Sequence, residues 1–326
     1  MSGHVMVFAP DPQLTVTIDQ PANETELHLH PGGQGVWQAR MIKCLGVPVV
    51  LCAGLGGEIG QVLEPLLAGE GVDLRAIHRE SSSGGYVHDR RRDGKRHEIA
   101  SVPGHPLARH ELDELYNLAL SEGLGAEVSI LSGPGHPSLV APEIYRRLAA
   151  DLGHNGSRVV ADLSGPHLAA VLDSGVSVLK VSHEELLRDG LAADDGEAEL
   201  IRVIQALHAQ GAESVVVSRA EEPALVLVDG EVAQLDMPRL EVADPRGAGD
   251  SMTAGVAAVL ARGGDIRLAV RTGAAAGALN VTRHGLGTGR PDAIAGLVDR
   301  VKLAPMRVDR QDRLTPDELA HRTTTS

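Results

Sequence analysis

The chain is poor in aromatic residues: one Trp, three Tyr and one Phe make up 2% of its 326 residues. A core built around large rings is excluded. Buried volume has to come from Ala, Val, Leu and Ile, and hydrophobic residues do reach 43%. Cysteine is scarce too. Cys44 and Cys52 both sit in apolar surroundings and belong to no C-x-x-C pattern, so they read as reduced core residues rather than a disulfide or redox pair. No stretch reaches the ~18 uninterrupted apolar residues a membrane helix requires. The start, MSGHVMVFAPD, lacks a positive n-region and a long apolar h-region, so no signal peptide is expected and the cytoplasm is the expected location. Positive charge is in deficit. Lys and Arg number 30 against 44 Asp and Glu, a formal net charge of −14. Such a field repels a polyanion, so nucleic acid is not an expected partner, while a small anion needs only a local basic pocket.

What is plentiful is glycine, with 38 residues dispersed at segment junctions. Val5 to Ala9 reads as a short buried strand and Thr15 to Ile18 as an alternating one. Residues 31–35, Pro-Gly-Gly-Gln-Gly, read as a glycine-rich loop opening a helix over 36–45. Val47 to Ala53 is a near-continuous apolar run, as in a strand buried on both faces. Residues 73–101 read instead as short strands with polar faces and a turn at Asp93-Gly94. Helix and strand then alternate, with strands expected at 127–131, 157–162, 176–181 and 213–218, and a hairpin over 224–235 around Asp229-Gly230. Alternation of this kind predicts a parallel sheet covered on both faces. Beyond residue 305 the sequence turns polar and charged.

The segment Asp244-Pro245-Arg246-Gly247-Ala248-Gly249-Asp250 carries the strongest chemical signal. Its glycines let the backbone approach a bound group closely. A helix begins at once, and its unpaired N–H groups suit an anion such as a transferring phosphoryl. Asp250, in the first turn, can reach a hydroxyl beside that anion. The plainer reading is a capping Asp and two turn glycines.

From this motif outward the chain resembles the ribokinase/PfkB carbohydrate kinase family, in particular its phosphofructokinase-like branch. Residues 244–257 match the family's C-terminal signature, and Gly32-Gly33-Gln34-Gly35 with Ala39-Arg40 resembles its N-terminal glycine motif. Leu131-Ser132-Gly133, Asp162, Lys180, Glu184-Glu185-Leu186, Val215 to Ser218 and residues 285–289 follow in the family's order. The resemblance spans residues 5–300. It implies an α/β fold with a Rossmann-like, doubly wound, mostly parallel sheet over residues 1–305. It also implies a small β-sheet lid from about 12–31 and 73–101, followed by a polar tail at 306–326. It implies an ATP-dependent sugar kinase with Mg²⁺ between the phosphates. Asp250 would be the base, and the amides of Gly247, Ala248 and Gly249 would stabilise the phosphoryl charge. Lys180, Ser182, Ser218, Ala220, Asn280 and Gly285 would line the ATP site, and Glu185 would support Mg²⁺ through water. Asp11, Thr15, Gly32, Gly33, Gln34, Trp37 and Tyr86 would contact a sugar or sugar phosphate. Lid pairing implies a homodimer.

The chain departs from the family at recognition positions. Thr15 stands where the family places a sugar-binding Asp, with Asp11 nearby as a substitute. Gln34 and Trp37 replace Lys or Asn and then Asn in the glycine loop. Ser83-Gly84-Gly85-Tyr86 replaces a lid Arg and Asn, Ser182 replaces the Asn of N-x-x-E, and Ala220 replaces a turn glycine. The basic run Arg90, Arg91, Arg92, Lys95 and Arg96 offers an alternative anion contact or a solvated hairpin. Arg246 offers a phosphate contact. His136 and His183 lie near strand ends, and His28 and His30 share an H-x-H spacing without further ligands. These departures keep two alternatives open: a kinase of the same fold acting on a nucleoside or other small molecule, and a non-catalytic sugar- or nucleotide-binding paralogue. A dinucleotide oxidoreductase fails because no G-x-G-x-x-G follows the first strand.

Overall fold

A computed structural model of the chain describes residues 3–306 apart from 22, 23, 93, 239 and 284. In chain order the first half comprises β1 (Val5–Ala9), β2 (Gln13–Asp19), β3 (Glu26–Gly32), α1 (Gln34–Cys44), β4 (Val49–Gly56), α2 (Gly57–Gly69), β5 (Asp73–Arg79), β6 (Gly85–Asp89), β7 (His97–Val102), α3 (Arg109–Leu124), β8 (Val128–Ser132) and α4 (Pro142–His154). The second half comprises β9 (Arg158–Asp162), α5 (Gly165–Leu172), β10 (Val176–Ser182), α6 (His183–Arg188), α7 (Glu197–Ala209), β11 (Ala212–Arg219), β12 (Glu222–Val228), β13 (Glu231–Asp236), α8 (Ala248–Ala261), α9 (Ile266–Asn280), α10 (Pro291–Val298) and β14 (Lys302–Pro305).

Strand β1 is apolar at every position, and the pleat divides it. Met6 and Phe8 join one hydrophobic core, while Val5, Val7 and Ala9 join the other. It lies inside a ten-stranded sheet ordered β14-β13-β12-β11-β10-β9-β8-β1-β4-β5. The pairs from β11 to β5 are parallel, and β12, β13 and β14 add antiparallel strands at one edge. Helices α3, α4, α5 and α7 cover one face; α1, α2, α8 and α9 cover the other. The chain runs outward from β1 through β4, then returns to β8 on the other side of β1. That reversal opens a crevice at the carboxyl ends of the strands, where such folds hold ligands.

The smaller sheet, ordered β3-β2-β6-β7, forms a lid. The strand at 73–79, expected in the lid, is instead the edge of the large sheet: β5 pairs in parallel with β4 from Val50↔Asp73 to Gly56↔Arg79. Its polar exposed face reflects an edge position. Strand β3 alternates polar and apolar residues from Glu26 to His30, yet its apolar positions, Leu27 and Leu29, are exposed. It runs to Gly32, so the glycine loop shrinks to one left-handed residue, Gly33, with φ +100°. At the expected lid turn Asp93 lies outside the described residues; Gly94 beside it donates to the Arg90 carbonyl at 3.1 Å. Of the tail at 306–326, only Met306 is described, and it donates to the Val232 carbonyl.

The scarcity of aromatics is answered by close backbone packing. Helix α8 is buried on all sides from Ser251 to Ala261 and lies against α9. A Cβ at Gly255 would sit 2.7 Å from the Gly273 Cα, one at Gly273 2.6 Å from the Met252 carbonyl oxygen, and one at Gly277 2.8 Å from the Ala248 carbonyl oxygen. Only bare backbone fits at this contact. Gly273→Ala should therefore lower stability by about 1–3 kcal/mol, although alanine is favoured over glycine in a helix interior by about 1 kcal/mol. Urea denaturation gives the sign, and a stabilised variant would contradict the packing argument.

Candidate active site

The close helix contact fixes where α8 begins, and the start of α8 faces the crevice. The residue before it, Gly247, has φ +71° and supplies no side-chain cap. Two other helices are capped: Ser182 accepts from the Glu185 N–H, and Asp265 accepts from the Leu268 N–H at 2.7 Å. At α8 the first carbonyl to receive an intrahelical bond is that of Gly247, from Ser251 N–H at 2.9 Å. Among the described residues, no protein acceptor takes the N–H groups of Ala248 or Gly249. A helix end left open in this way is ready for an anion.

Three strand ends converge on that opening. Lys180, near the end of β10, is 8% exposed, and its Nζ lies 3.1 Å from Asp162 Oδ1 at the end of β9. Asp162, 1% exposed, also accepts at Oδ2 from Gln38 Nε2 at 3.0 Å and Thr253 Oγ1 at 2.8 Å. Gln38 in turn accepts from Ser132 Oγ, at the end of β8, at 2.5 Å. One buried carboxylate thus joins α1, α8, β9 and β10. Gly249 explains itself against this frame: a Cβ there would stand 2.5 Å from Lys180 Nζ.

Asp250 is half-buried and lines a cavity of about 400 Å³ with Gln34, Lys180, Ser182, Glu184, Glu185, Arg188 and Gly249. Burial pushes its carboxyl well above the ordinary carboxylate range; Asp162 repels its charge, Lys180 opposes that, and Glu185 adds to the repulsion. Burial alone would discharge Lys180, but Asp162, Glu185 and Asp250 together hold its ammonium above the usual lysine value. Glu185 bonds Ser182 N and Oγ through Oε2, both at 2.8 Å.

A second cavity of about 200 Å³ adjoins the first through Gln34, whose Oε1 accepts from the Gly133 N–H at 2.7 Å. It is lined by Asp11, Gln13, Gly33, Trp37 and Tyr86 among others. Thr15 does not line it. It is 6% exposed and packed against Gly32, where a Cβ would meet Thr15 Oγ1 at 2.6 Å. Asp11 does line it. Its side chain is fully buried and paired with Arg79 at 2.7 Å, while Oδ2 has no hydrogen-bond partner among the described residues. Burial raises the Asp11 carboxyl, and Arg79 works against that rise.

Several expected site residues lie elsewhere. Asn280 is fully buried, donating to the Arg246 carbonyl at 2.7 Å and accepting from the Gly287 N–H at 2.9 Å, so it holds the Gly247 turn against the next loop. Gly285, Ser218 and Ala220 do not line the cavity at Asp250. Ala220 sits at φ +45°, a left-handed turn position. His183 bonds the Ser218 carbonyl and His136 the Ser138 hydroxyl. His28 and His30 stack, and among the described residues no cluster of three metal-ligating side chains forms. The basic run divides: Arg91 pairs with Asp89 in solvent, whereas Arg96 turns inward to Asp244. Sequence reading does not find Arg79 and Thr253, whose partners are remote in the chain and carry no local pattern.

The family model described as "pfkB family carbohydrate kinase" matches residues 3–293. The chain belongs to the pfkB family of carbohydrate kinases. It is thereby a phosphotransferase acting on a sugar hydroxyl. An ATP-dependent 6-phosphofructokinase isozyme 2 of Mycobacterium tuberculosis is 32% identical over 255 residues, covering 76% of this chain and 73% of that one. A 1-phosphofructokinase of Bacillus subtilis is 26% identical over 261 residues, covering 79% and 84%. The crystal structure of a point mutant of phosphofructokinase-2 from Escherichia coli superposes with a TM-score of 0.79 at 25% identity, covering 91% of this chain and 99% of that one. The doubly wound sheet with a separate small sheet is the architecture of this pfkB kinase. No helix among the described residues is long and apolar enough to cross a membrane.

The Asp162 junction makes a stability prediction. Lys180→Met should cost about 3–5 kcal/mol, because it strands a buried carboxylate. Adding Asp162→Asn should recover part of that loss. Denaturation of the single and double variants checks this, and strictly additive losses would refute the coupling.

Proposed function

We propose that this pfkB kinase transfers the γ-phosphoryl group of ATP to a hydroxyl of a fructose phosphate, with Asp250 as the base. One observation carries the reading: a carboxyl of raised proton affinity stands beside helix-start amides that have no acceptor among the described residues. Phosphoryl transfer asks for positioned charge and an oriented nucleophile. In this reading the acceptor occupies the cavity under the lid, and ATP phosphates occupy the cavity lined by Lys180, Gly249 and Asp250. The amides of Gly247, Ala248 and Gly249 face charge that accumulates on the transferring group. Lys180 lies within reach of the same charge, already held cationic by Asp162. Asp250 accepts the hydroxyl proton as the oxygen attacks.

The donor set suits Mg²⁺ bound mainly by nucleotide phosphates, since Glu185 is the carboxylate beside the phosphate cavity with one oxygen outside its capping bonds. The ion would neutralise phosphate charge, and Glu185 would support it through water. Ser182 lines the same cavity, whereas Ser218, Ala220, Asn280 and Gly285 lie outside it and would serve the nucleotide beyond its phosphates. Asp11, paired with Arg79, presents an acceptor oxygen for sugar hydroxyls in the cavity that Thr15 does not line. Gly33, Gln34, Trp37 and Tyr86 shape the rest of that pocket, while Gly32, like Thr15 beside it, does not line it. The fructose phosphate class rests on the two phosphofructokinase relatives.

ADP release should be seen with fructose 1-phosphate or fructose 6-phosphate, and Asp250→Asn should lower kcat by about 10²–10⁴-fold with a native melting curve. Turnover confined to nucleosides would overturn the substrate class. Because the base works only when deprotonated, kcat should fall as pH drops through its raised pKa. Its acidic limb should therefore lie well above the ordinary carboxylate value of about 4, and a limb at that ordinary value would contradict the assignment.

The lid supports a homodimer. Its outer face aligns Leu27 with Ile18 and Leu29 with Val16 and Val87, leaving Leu27 64% and Leu29 43% exposed. A four-stranded sheet that covers the site with one face buries the other most simply against a second copy. Leu29→Asp should convert the dimer to monomer in sedimentation, while an unchanged mass would reject the lid interface.

A further inference from the structure

Asp244, six residues before Asp250, is 7% exposed, although it lies in a loop. Two cations from different parts of the molecule meet it. Arg246 approaches from its own turn, with Nε 3.3 Å from Oδ1 and its backbone N–H donating to the same oxygen at 3.2 Å. Arg96 comes from the lid, between β6 and β7, and its guanidinium lies 3.6 Å from Oδ2, with side chains 12% and 8% exposed. The backbone here is otherwise held from below. The N–H groups of Ala243 and Asp244 donate to the Val281 carbonyl at 2.7 and 3.1 Å, and Asn280 takes hold of the Arg246 carbonyl. Through the Asp244 side chain the lid thus reaches the turn that leads into Gly247, Ala248 and Gly249.

A buried carboxylate needs its cations. Raising the lid would withdraw Arg96 and leave Asp244 with the half-exposed Arg246 alone. The carboxylate would then be drawn toward Arg246 or toward water, and the turn that carries the helix-start amides would follow. Transfer rates are sensitive to displacements of this size: a misplacement of about 1 Å can cost about 10²-fold.

We infer that Arg96 is a positioning residue, which sets the register of the 244–249 turn from the lid and so makes fast phosphoryl transfer conditional on a closed acceptor pocket. Arg96 touches neither nucleotide nor acceptor in this assignment; it acts through Asp244. The inference rests on the reading of the 247–250 segment as the transfer centre.

The test uses full-length Arg96→Gln, Arg96→Lys, Asp244→Asn and the Arg96→Gln/Asp244→Asn double variant. Each is first confirmed folded by its melting curve. Transfer to a fructose phosphate and acceptor-independent ATP hydrolysis are both measured. Arg96→Gln should lower kcat for transfer by about 10- to 100-fold, with KM for ATP unchanged and a larger share of ATP hydrolysed without an acceptor. Arg96→Lys, which keeps the charge, should recover most of the rate. The double variant should be no slower than the slower single one. Wild-type kcat in Arg96→Gln, or losses that multiply in the double variant, would overturn the inference. Failure of the underlying reading looks different, because Asp250→Asn would then retain full activity. If Arg96→Gln itself unfolds, the lysine variant and Asp244→Asn still decide: a wild-type rate in Asp244→Asn rejects the coupling.

Discussion

The buried carboxylate of Asp162 is the constraint from which the site follows. It ends a parallel strand in the middle of the sheet, where water cannot reach it, so its charge must be met by protein. Gln38, Thr253 and Lys180 meet it from the helix that follows the N-terminal glycines, from the helix that carries Asp250, and from the neighbouring strand. Each of those bonds fixes an orientation as well as a charge. Lys180 is thereby placed against Gly249, and burial, with Asp162 and Glu185 nearby, raises the proton affinity of Asp250, as the proposed role of a base at neutral pH requires.

Small side chains perform the complementary task. With few aromatic residues, the large-sheet core is packed by branched aliphatics and by alanine and glycine, and α8 can approach α9 until backbone touches backbone. This rigid seat lets the first turn of α8 remain uncapped. A helix start with open N–H groups is costly unless the rest of the helix is held firmly, and the burial of residues 251–261 supplies that hold.

Recognition is organised differently from the transfer machinery. Burial raises the proton affinity of Asp11 while its ion pair with Arg79 opposes that, and in the proposed function its second oxygen receives hydroxyl donors. The lid contributes Tyr86 to the same cavity, presents an apolar face outward, and sends Arg96 down to Asp244. In the proposed function, acceptor pocket, subunit contact and transfer turn therefore share one four-stranded sheet.

Periodicity alone placed most strands and helices, because buried parallel strands are continuous apolar runs and amphipathic helices repeat at their own spacing. It passed over β3, whose alternating residues run into the glycines, put β5 in the lid because an edge strand shows a polar face, and missed β14, whose pairing with β13 depends on a contact almost seventy residues away. The local motif around Gly247 and Asp250 was legible for the same reason: turn, helix start and carboxylate are neighbours in the chain, and their chemistry is a local property. Which carboxylate lines the cavity beside Trp37 and Tyr86, which arginine pairs with it, and which lid residue reaches the 244–249 turn were decided only by tertiary structure. Asp11 with Arg79, Asp162 with Thr253, and Arg96 with Asp244 are separated by 68 to 148 positions, and the burial that makes each pair matter exists only once the sheet has brought its strand ends together.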